Sequence, residues 1–543
     1  MLNISPEDLV DCTHEVMSSY RIGVRVQAEL LASVCNRAGA DLNTLSISRS
    51  TVHCKRFQKI ETLGSHIMEE TKNTLRGKKP IVHFDGKQVK QMEEEHNITV
   101  NVERIAVSVT SPDLEQSADI LLGVLQTESS KGVDQAEGIL SLLEYEIVDQ
   151  VIGVCCDTTA SNTGSNSGAI VYLAELVDKP LLWFLCRRHI LGVHISHFME
   201  ALTGEKTKGP RRPLYVQLQK NWPTFKVEID KMENIVKFDW KTLQVGSPLY
   251  SLAFEALEFG QRALSINTFV RGDYKNLCQL MVFYLGGNVP GFTFHQPGAC
   301  HEARFMADAL YILTLTMTDK IVNMMNAEER DIFSKAAFFI SICYAPWFLK
   351  SYLSDKSTAN DLEAYKSAHE IAIEYPKLGG ALVKSMENHA WYLTEQLVVI
   401  ALADDDVEET DKREMLKKLL DIEKPSSYTR RKPNLPKLSK STKLSDLIGP
   451  ESWQIFDLID VSKTDLAKWV ENLNHPGPTY EHFTIFVKQL MVVNDCSERN
   501  VRLIQDYVNS YRSEDMKQNV MQVARSNKEK LDRNRTKKVL KKM

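Results

Sequence analysis

An α/β fold is predicted, built on a mixed five-stranded sheet, interrupted by a large all-helical insertion and preceded by a helical domain. Three observations carry the prediction. Apolar residues recur at helical spacing through residues 6 to 75; from about residue 80 to 204 short apolar strands alternate with helix-like segments; beyond residue 205 strand signals become scarce. With 43% hydrophobic and 25% charged residues, the 543-residue chain has the composition of packed domains rather than of a disordered polymer.

In the N-terminal segment, "PEDLVDCTHEVM" and "RVQAELLASVC" have the helical period, and "NRAGADLN" ends the second run. Ser48 or Ser50 in "SISRSTVHCKRFQ" then offers a cap for a helix with basic residues. That arrangement suits a helix-turn-helix reader of DNA, and it equally suits a small bundle with one cationic face.

The period changes near residue 80. "PIVHFDG", "ERIAVSVT" and "ADILLGVLQT" read as three strands, followed by the helix-like "VDQAEGILSLLEYE". "DQVIGVCCD" is a fourth strand, "NSGAIVYLAELV" a helix, "PLLWFLC" a fifth strand and "RRHILGVHISHFMEAL" a helix. A three-stranded meander followed by two crossover units gives the spatial order 3-2-1-4-5, the order of the ribonuclease H fold. That order puts Asp85 on strand one and Asp157 at the end of its neighbour, strand four. With strands about 4.8 Å apart, two such carboxylates can share one metal site.

After residue 205, "HEARFMADALYILTLTM", "RDIFSKAAFFISICYAPWFLKSYL" and "NHAWYLTEQLVVIAL" are apolar and helical in character, and "DDDVEETDKREMLKKLLDIEKP" is a charged helix. The expected organisation is an N-terminal helical domain over 1–78 and the first part of the sheet domain over 79–204. A helical insertion over 205–480 contains a basic, Pro-rich linker at 424–443. C-terminal helices over 481–523 complete the core, and a basic tail covers 524–543.

Two aspartates do not complete a phosphoryl-transfer site of this type. Two Mg²⁺ ions about 3.5 to 4 Å apart clamp the attacking and leaving oxygens of a phosphodiester, and they usually need a third carboxylate. Two segments compete to supply it: Glu395, an acid in an otherwise apolar helix-like run, and Glu498, where the polar turn of "VVNDCSERNVRLIQDYV" leads into an amphipathic helix. Asp495 and Glu498 also have the spacing of a capping box, and Glu395 could lie on a solvent edge. The residue pattern alone leaves the choice open.

"HFDGK", "CDTTASNTG", "CRRHI" and "NDCSERNVRLIQ" together resemble DDE transposases and their domesticated descendants, most closely the hAT superfamily. The resemblance, one of architecture over most of residues 80 to 520, implies a ribonuclease H-like core interrupted after the fifth strand by a helical insertion. It implies that Asp85, Asp157 and a late Glu bind the metals, Mg²⁺ or Mn²⁺, and its pattern at the opening of the final helix moves the third role to Glu498, with Glu395 in reserve. Cys186 and His189 match a C-x-x-H motif of that family, and Arg304 and Phe305 loosely resemble its Arg-Trp pair. The implied activity is cutting and joining of DNA phosphodiesters, with double-stranded DNA, transposon ends in particular, as partner, a homo-oligomer as assembly and the nucleus as location. The alternative is a catalytically inactive, domesticated transposase that binds DNA or proteins. The chain departs from the family in lacking paired zinc ligands within residues 1 to 80, so a zinc finger is not expected there.

Other chemistries fit less well. The ten cysteines show no CxxC pair, as expected of core residues in a reducing compartment. His189, His194 and His197 in "CRRHILGVHISH" step by five and three, so a zinc site with Cys155, Cys156 and Cys186 is disfavoured against core cysteines and a structural His189. No P-loop is present, and Thr159 stands where an aspartyl phosphotransferase commonly has a second Asp. No run approaches the roughly 18 apolar residues of a membrane span, and the start has no targeting pattern, so no membrane partner and an intracellular location are expected. The net charge of -5 gives no overall attraction to nucleic acid, but the linker is basic and the tail carries nine Lys or Arg against two acids.

Overall fold

The computed structural model describes residues 6–540 except 94–97, 115–118, 144, 207–210, 270, 297–305, 476, 508 and 510–512. The chain divides into two compact units: Met1–Leu181 with Arg430–Lys432 and Asn494–Met543, and Leu182–Thr429 with Pro433–Val493.

The first unit opens with helices α1 (Pro6–Ser19), α2 (Val24–Arg37) and α3 (Arg49–Leu75). Ser48 caps α3, accepting from the Thr51 N–H at 3.2 Å. Val10, Ala28, Leu31 and Val52 form a small core among the three helices. Arg56 of α3 is buried there and donates to Ser18 Oγ, the Ile22 carbonyl and Gln27 Oε1. Part of the basic character of this helix therefore serves packing.

Five strands follow, of which the last belongs to the second unit: β1 (Ile81–Glu93), β2 (Ile98–Thr110), β3 (Ile120–Thr127), β4 (Gly153–Cys155) and β5 (Leu182–Trp183), in the mixed order β3-β2-β1-β4-β5. β1 pairs antiparallel with β2 and parallel with β4. The β1–β2 hairpin runs on to Glu93 opposite Ile98, well past the apolar runs in the sequence. From Gly86 to Lys90 exposed and half-buried residues alternate. The apolar run marks only the length buried on both faces, and the rest of the ladder carries one wet face. Between the strands lie α4 (Gly132–Leu142), the short α5 (Tyr145–Val148) and α6 (Ala160–Thr163), and α7 (Ala169–Leu176), with α7 packed on α4.

The second unit is helical. It contains α8 (Arg187–Thr203), α9 (Pro213–Ile229), α10 (Pro248–Ile266), α11 (Gly272–Tyr284), α12 (Ala307–Val322), α13 (Ala327–Phe339) and α14 (Ala345–Lys350). It continues with α15 (Ser357–Glu374), α16 (Pro376–Glu387), α17 (Glu409–Asp421), α18 (Trp453–Leu458), α19 (Lys463–Glu471) and α20 (Pro478–Gln489). One aromatic-rich core joins α8 through α16. A π-helical turn, Ile340–Tyr344, links α13 to α14, and the joined helix is long and apolar enough to cross a membrane by composition; most of it is buried in this core. "NHAWYLTEQLVVIAL" departs from the expected helix: 3₁₀ turns at Trp391–Leu393 and Val398–Ala403 flank a turn holding Glu395. Nearly every side chain in it is buried, so no polar face selects a regular amphipathic period.

The linker at 424–443 is an extended strap with partners. Lys424 pairs with Asp457 at 2.6 Å, Lys440 with Glu370 at 2.5 Å and Lys443 with Glu414 at 3.4 Å, and Arg430 pairs with Asp178. These four cations face carboxylates already in the fold.

The chain then returns to the first unit as α21 (Asp495–Tyr507) and α22 (Glu514–Leu540). Leu503, Ile504 and Tyr507 of α21 and Met516, Val520, Met521, Val523 and Ala524 of α22 share a core with Ile60 of α3, Ala106 of β2 and Leu121 and Val124 of β3. The basic tail is thus helical, and its beginning is core. α22 also covers the free edge of β3: Gln518 Oε1 accepts from the Val124 N–H at 2.8 Å while its Nε2 donates to the Val124 carbonyl, and Gln522 Nε2 donates to the carbonyls of Leu121 and Leu122. Two glutamines stand in for a sixth strand and blunt an edge that invites pairing with other chains. Arg104 of β2, fully buried, fixes the start of the helix through paired hydrogen bonds to Glu514 at 2.8 and 2.9 Å.

Candidate functional site

In the parallel β1–β4 pair, Ile81 faces Gly153, Val82 faces Val154 and His83 faces Cys155. Two residues beyond the last pair come Asp85 on β1 and Asp157 after β4. Continuing the register sets these aspartates side by side, Asp85 within β1 and Asp157 just past the carboxyl end of β4. Asp85, two residues on from His83, projects to the same face of the sheet and is buried.

Asp157 is held by its own turn. Its Oδ1 accepts from the Thr159 N–H at 2.9 Å, Thr159 Oγ1 at 2.7 Å and Asn162 Nδ2 at 2.7 Å, while Oδ2 accepts nothing among the described residues. One oxygen is oriented and the other is open. The small residues after it have a steric reason. A Cβ on Gly168 would lie 2.6 Å from the backbone N and O of Gly164, and one on Gly164 2.7 Å from the Ala160 carbonyl. The chain doubles back on itself between α6 and α7 too tightly for side chains at those two positions.

α21 begins at the same sheet end. Asn494, the residue before it, donates from Nδ2 to the Phe84 carbonyl at 2.8 Å, and Asn500, further along, donates to Ser108 Oγ at 2.8 Å. The Pro80 carbonyl accepts from Ile152 N–H at 2.9 Å, so by strand alternation the Phe84 carbonyl also points toward the β4 side. Asn494 therefore ties the helix start to the gap where β4 stops. His83 lies fully buried on this face, hydrogen bonded to Thr110 Oγ1 at 2.8 Å and to Asn494. Desolvation pushes its pKa down to about 4, against the opposing pull of Asp119 and Asp495.

Glu498 lies in the first turns of α21; its side chain is outside the described residues. Glu395, the reserve candidate, is exposed in the second unit. Its Oε2 accepts from the Glu451 N–H at 3.3 Å and its carbonyl from Ser452 Oγ at 2.8 Å. It caps a neighbouring turn. Among the described residues no three His, Cys, Asp or Glu side chains come together as a metal site, which applies equally to the Cys155, Cys156, Cys186 and histidine set. Among the described residues nine cysteines stand outside any disulfide, seven of them buried.

Cys186 caps α8 and is buried, and His189 is half-buried beside it. The arginines between them are structural. Arg187 pairs with Asp361 and donates to the Ser351 and Ser357 carbonyls, and Arg188 lies 4.5 Å from the Tyr274 ring centre. His194 and His197 each place Nδ1 on the same Ser385 hydroxyl, at 2.8 and 2.9 Å. Arg304 and Phe305 are outside the described residues.

Sequence reasoning missed Asn494, Asn162 and Thr159, which position the helix and the second aspartate. An Asx-type turn signal was present in "CDTTASN"; nothing in the linear sequence relates Asn494 to residue 84. No protein-family model matches the chain, and no curated protein is significantly similar to it.

Proposed function

We propose that the first unit is a ribonuclease H-like core of the DDE transposase type, acting on phosphodiesters of double-stranded DNA, such as transposon ends, in the nucleus. The observation that carries this reading is the β1–β4 register, which sets Asp85 beside Asp157, with Asn494 tying the start of α21 to the same point. The donor set fits Mg²⁺ or Mn²⁺: two hard carboxylates, one of them with an oxygen oriented by three donors and the other oxygen open. A divalent cation bound there supplies Lewis-acid polarisation of a phosphodiester oxygen. Asp85 and Asp157 would hold it, Thr159 and Asn162 keep Asp157 from rotating, and Glu498 would take the third ligand position.

The test is nicking of supercoiled and linear duplex DNA by the full chain with Mg²⁺ or Mn²⁺. Asp157→Asn and Asp85→Asn are each expected to lower the rate by on the order of a hundredfold or more. Nicking that persists in both variants overturns the reading. Duplex binding without metal-dependent nicking in the unaltered chain favours the domesticated, binding-only alternative, in which the acids are retained as structure.

A further inference from the structure

Helix α21 packs by two different chemistries. Its buried face runs from Ser497 and Asn500 to Leu503, Ile504 and Tyr507, so its last turns bury apolar side chains while its first turns, Cys496 apart, bury polar ones. The apolar end joins the core shared with α3, α22, β2 and β3. At the polar end, which begins at Asn494, Asn494 and Asn500 are only 2% and 1% exposed, and Ser497 is wholly enclosed. Burying such groups costs stability unless their polar atoms find partners, and Ser497 Oγ and Asn500 Oδ1 find none among the described residues. Alanine or leucine would fill these positions at lower cost, so stability alone does not account for them.

The hydrogen bonds that this end does make reach two neighbouring strands. Asn494 Nδ2 donates at 2.8 Å to the Phe84 carbonyl, in the peptide that joins Phe84 to Asp85. Asn500 Nδ2 donates at 2.8 Å to Ser108 Oγ of β2. Ser108 stands opposite His83 in the β1–β2 ladder, so its side chain shares the sheet face of His83 and Asp85. Six residues, about 9 Å of helix, separate the two anchors. Apolar contact has no preferred direction and lets a helix slide or turn, whereas a hydrogen bond weakens steeply away from its preferred length and angle. Two hydrogen bonds on different strands therefore fix both where α21 starts and which way it runs.

We propose that Asn494 and Asn500 are positioning residues: acting through α21, they hold the segment 495–499 in one place relative to Asp85. The anchors are independent of the function proposed above, and their consequence for metal binding and catalysis rests on it.

The test compares Ser108→Thr, Ser108→Val and Asn500→Leu in the full chain. Thr and Val have the same shape and differ in the hydroxyl that Asn500 uses, and Leu replaces Asn without a donor. Three quantities are read: amide hydrogen exchange of residues 495–500 without metal, Mn²⁺ affinity from the paramagnetic resonance signal of the free ion, and the nicking rate. Ser108→Val and Asn500→Leu are expected to exchange faster than Ser108→Thr, to bind Mn²⁺ on the order of tenfold more weakly and to nick correspondingly slower, with thermal midpoints no lower than that of Ser108→Thr. Ser108→Thr is expected to keep most of the affinity, which a role in packing alone would not produce. Affinity and rate unchanged in the two apolar variants overturn the inference, whatever the exchange shows, as does equal loss in Ser108→Thr and Ser108→Val. Where Asp157→Asn still stops nicking, that result leaves the function proposed above standing; an unaltered chain that neither binds Mn²⁺ nor nicks overturns both.

Discussion

Burial holds the His194 imidazole down at about 3, with His389 and His197 adding to the effect of desolvation. The unfolded chain takes up this proton near pH 6.5 and the folded chain does not, so His194 contributes its full stability above pH 6.5 and loses it as pH falls toward 3. By pH 5 the loss is on the order of 2 kcal/mol. Urea unfolding at pH 7.5 and pH 5 is expected to show His194→Gln with a smaller pH-dependent loss than the unaltered chain; an equal loss removes His194 as its source. At this scale the sequence marked the two aspartates because each follows directly on an apolar run; Asp85 proves to lie inside β1, buried, and Asp157 just past β4. It was silent on Asn494, whose role is defined by a carbonyl 410 positions away. It was also silent on the linker's partners, since the carboxylates that pair with Lys424, Arg430, Lys440 and Lys443 are supplied only by folding.

Helix α3 lies against α22 with Gly64 at the crossing, where an added Cβ would meet Asn519 Cα at 2.7 Å and Asn519 Oδ1 at 2.4 Å. The backbone atom cannot swing aside as a side chain could. Gly64→Val is therefore expected to destabilise the first unit by roughly 1 to 3 kcal/mol or more, as overpacking does. Thermal unfolding followed by circular dichroism checks it; an unchanged midpoint would show that the two helices do not need this approach. Strands β1 to β3 and their antiparallel meander were legible because their apolar runs are short and break the helical period that precedes them. β4 and β5 were recognised as apolar runs, yet their ladders are short, three and two residues, because Asp157 and Cys186 lead directly into turns and helices. The supposed helix around Glu395 was misread because uniformly apolar sequence carries no period to separate 3₁₀ turns from a regular helix.

The first unit is assembled from both ends of the chain, and α22 is what joins them. It closes the core of Ile60, Ala106, Leu121 and Val124, holds the edge of β3 through Gln518 and Gln522, and is anchored by Arg104. Deleting residues 514–543 is expected to leave the first unit unfolded while the second retains its helical signal. Limited proteolysis with mass spectrometry would show this as cutting concentrated in residues 6–181 and 494–513; equal protection of those segments in the truncated chain would refute it. The strand order was predictable from the succession of elements, whereas the closure was not, since a basic C-terminal sequence reads as a solvated tail until its first half is seen packed. The two glutamines at the β3 edge carry a further consequence, one of time. During synthesis β3 is complete at Thr127, but Glu514, the first residue of α22, emerges only after the whole second unit has been made. At about 5 to 20 residues per second, the edge waits on the order of 20 to 80 s for its cover. For that interval each nascent chain offers an open strand to its neighbours on the same polysome, so the order of translation, rather than final stability, sets its exposure to aggregation.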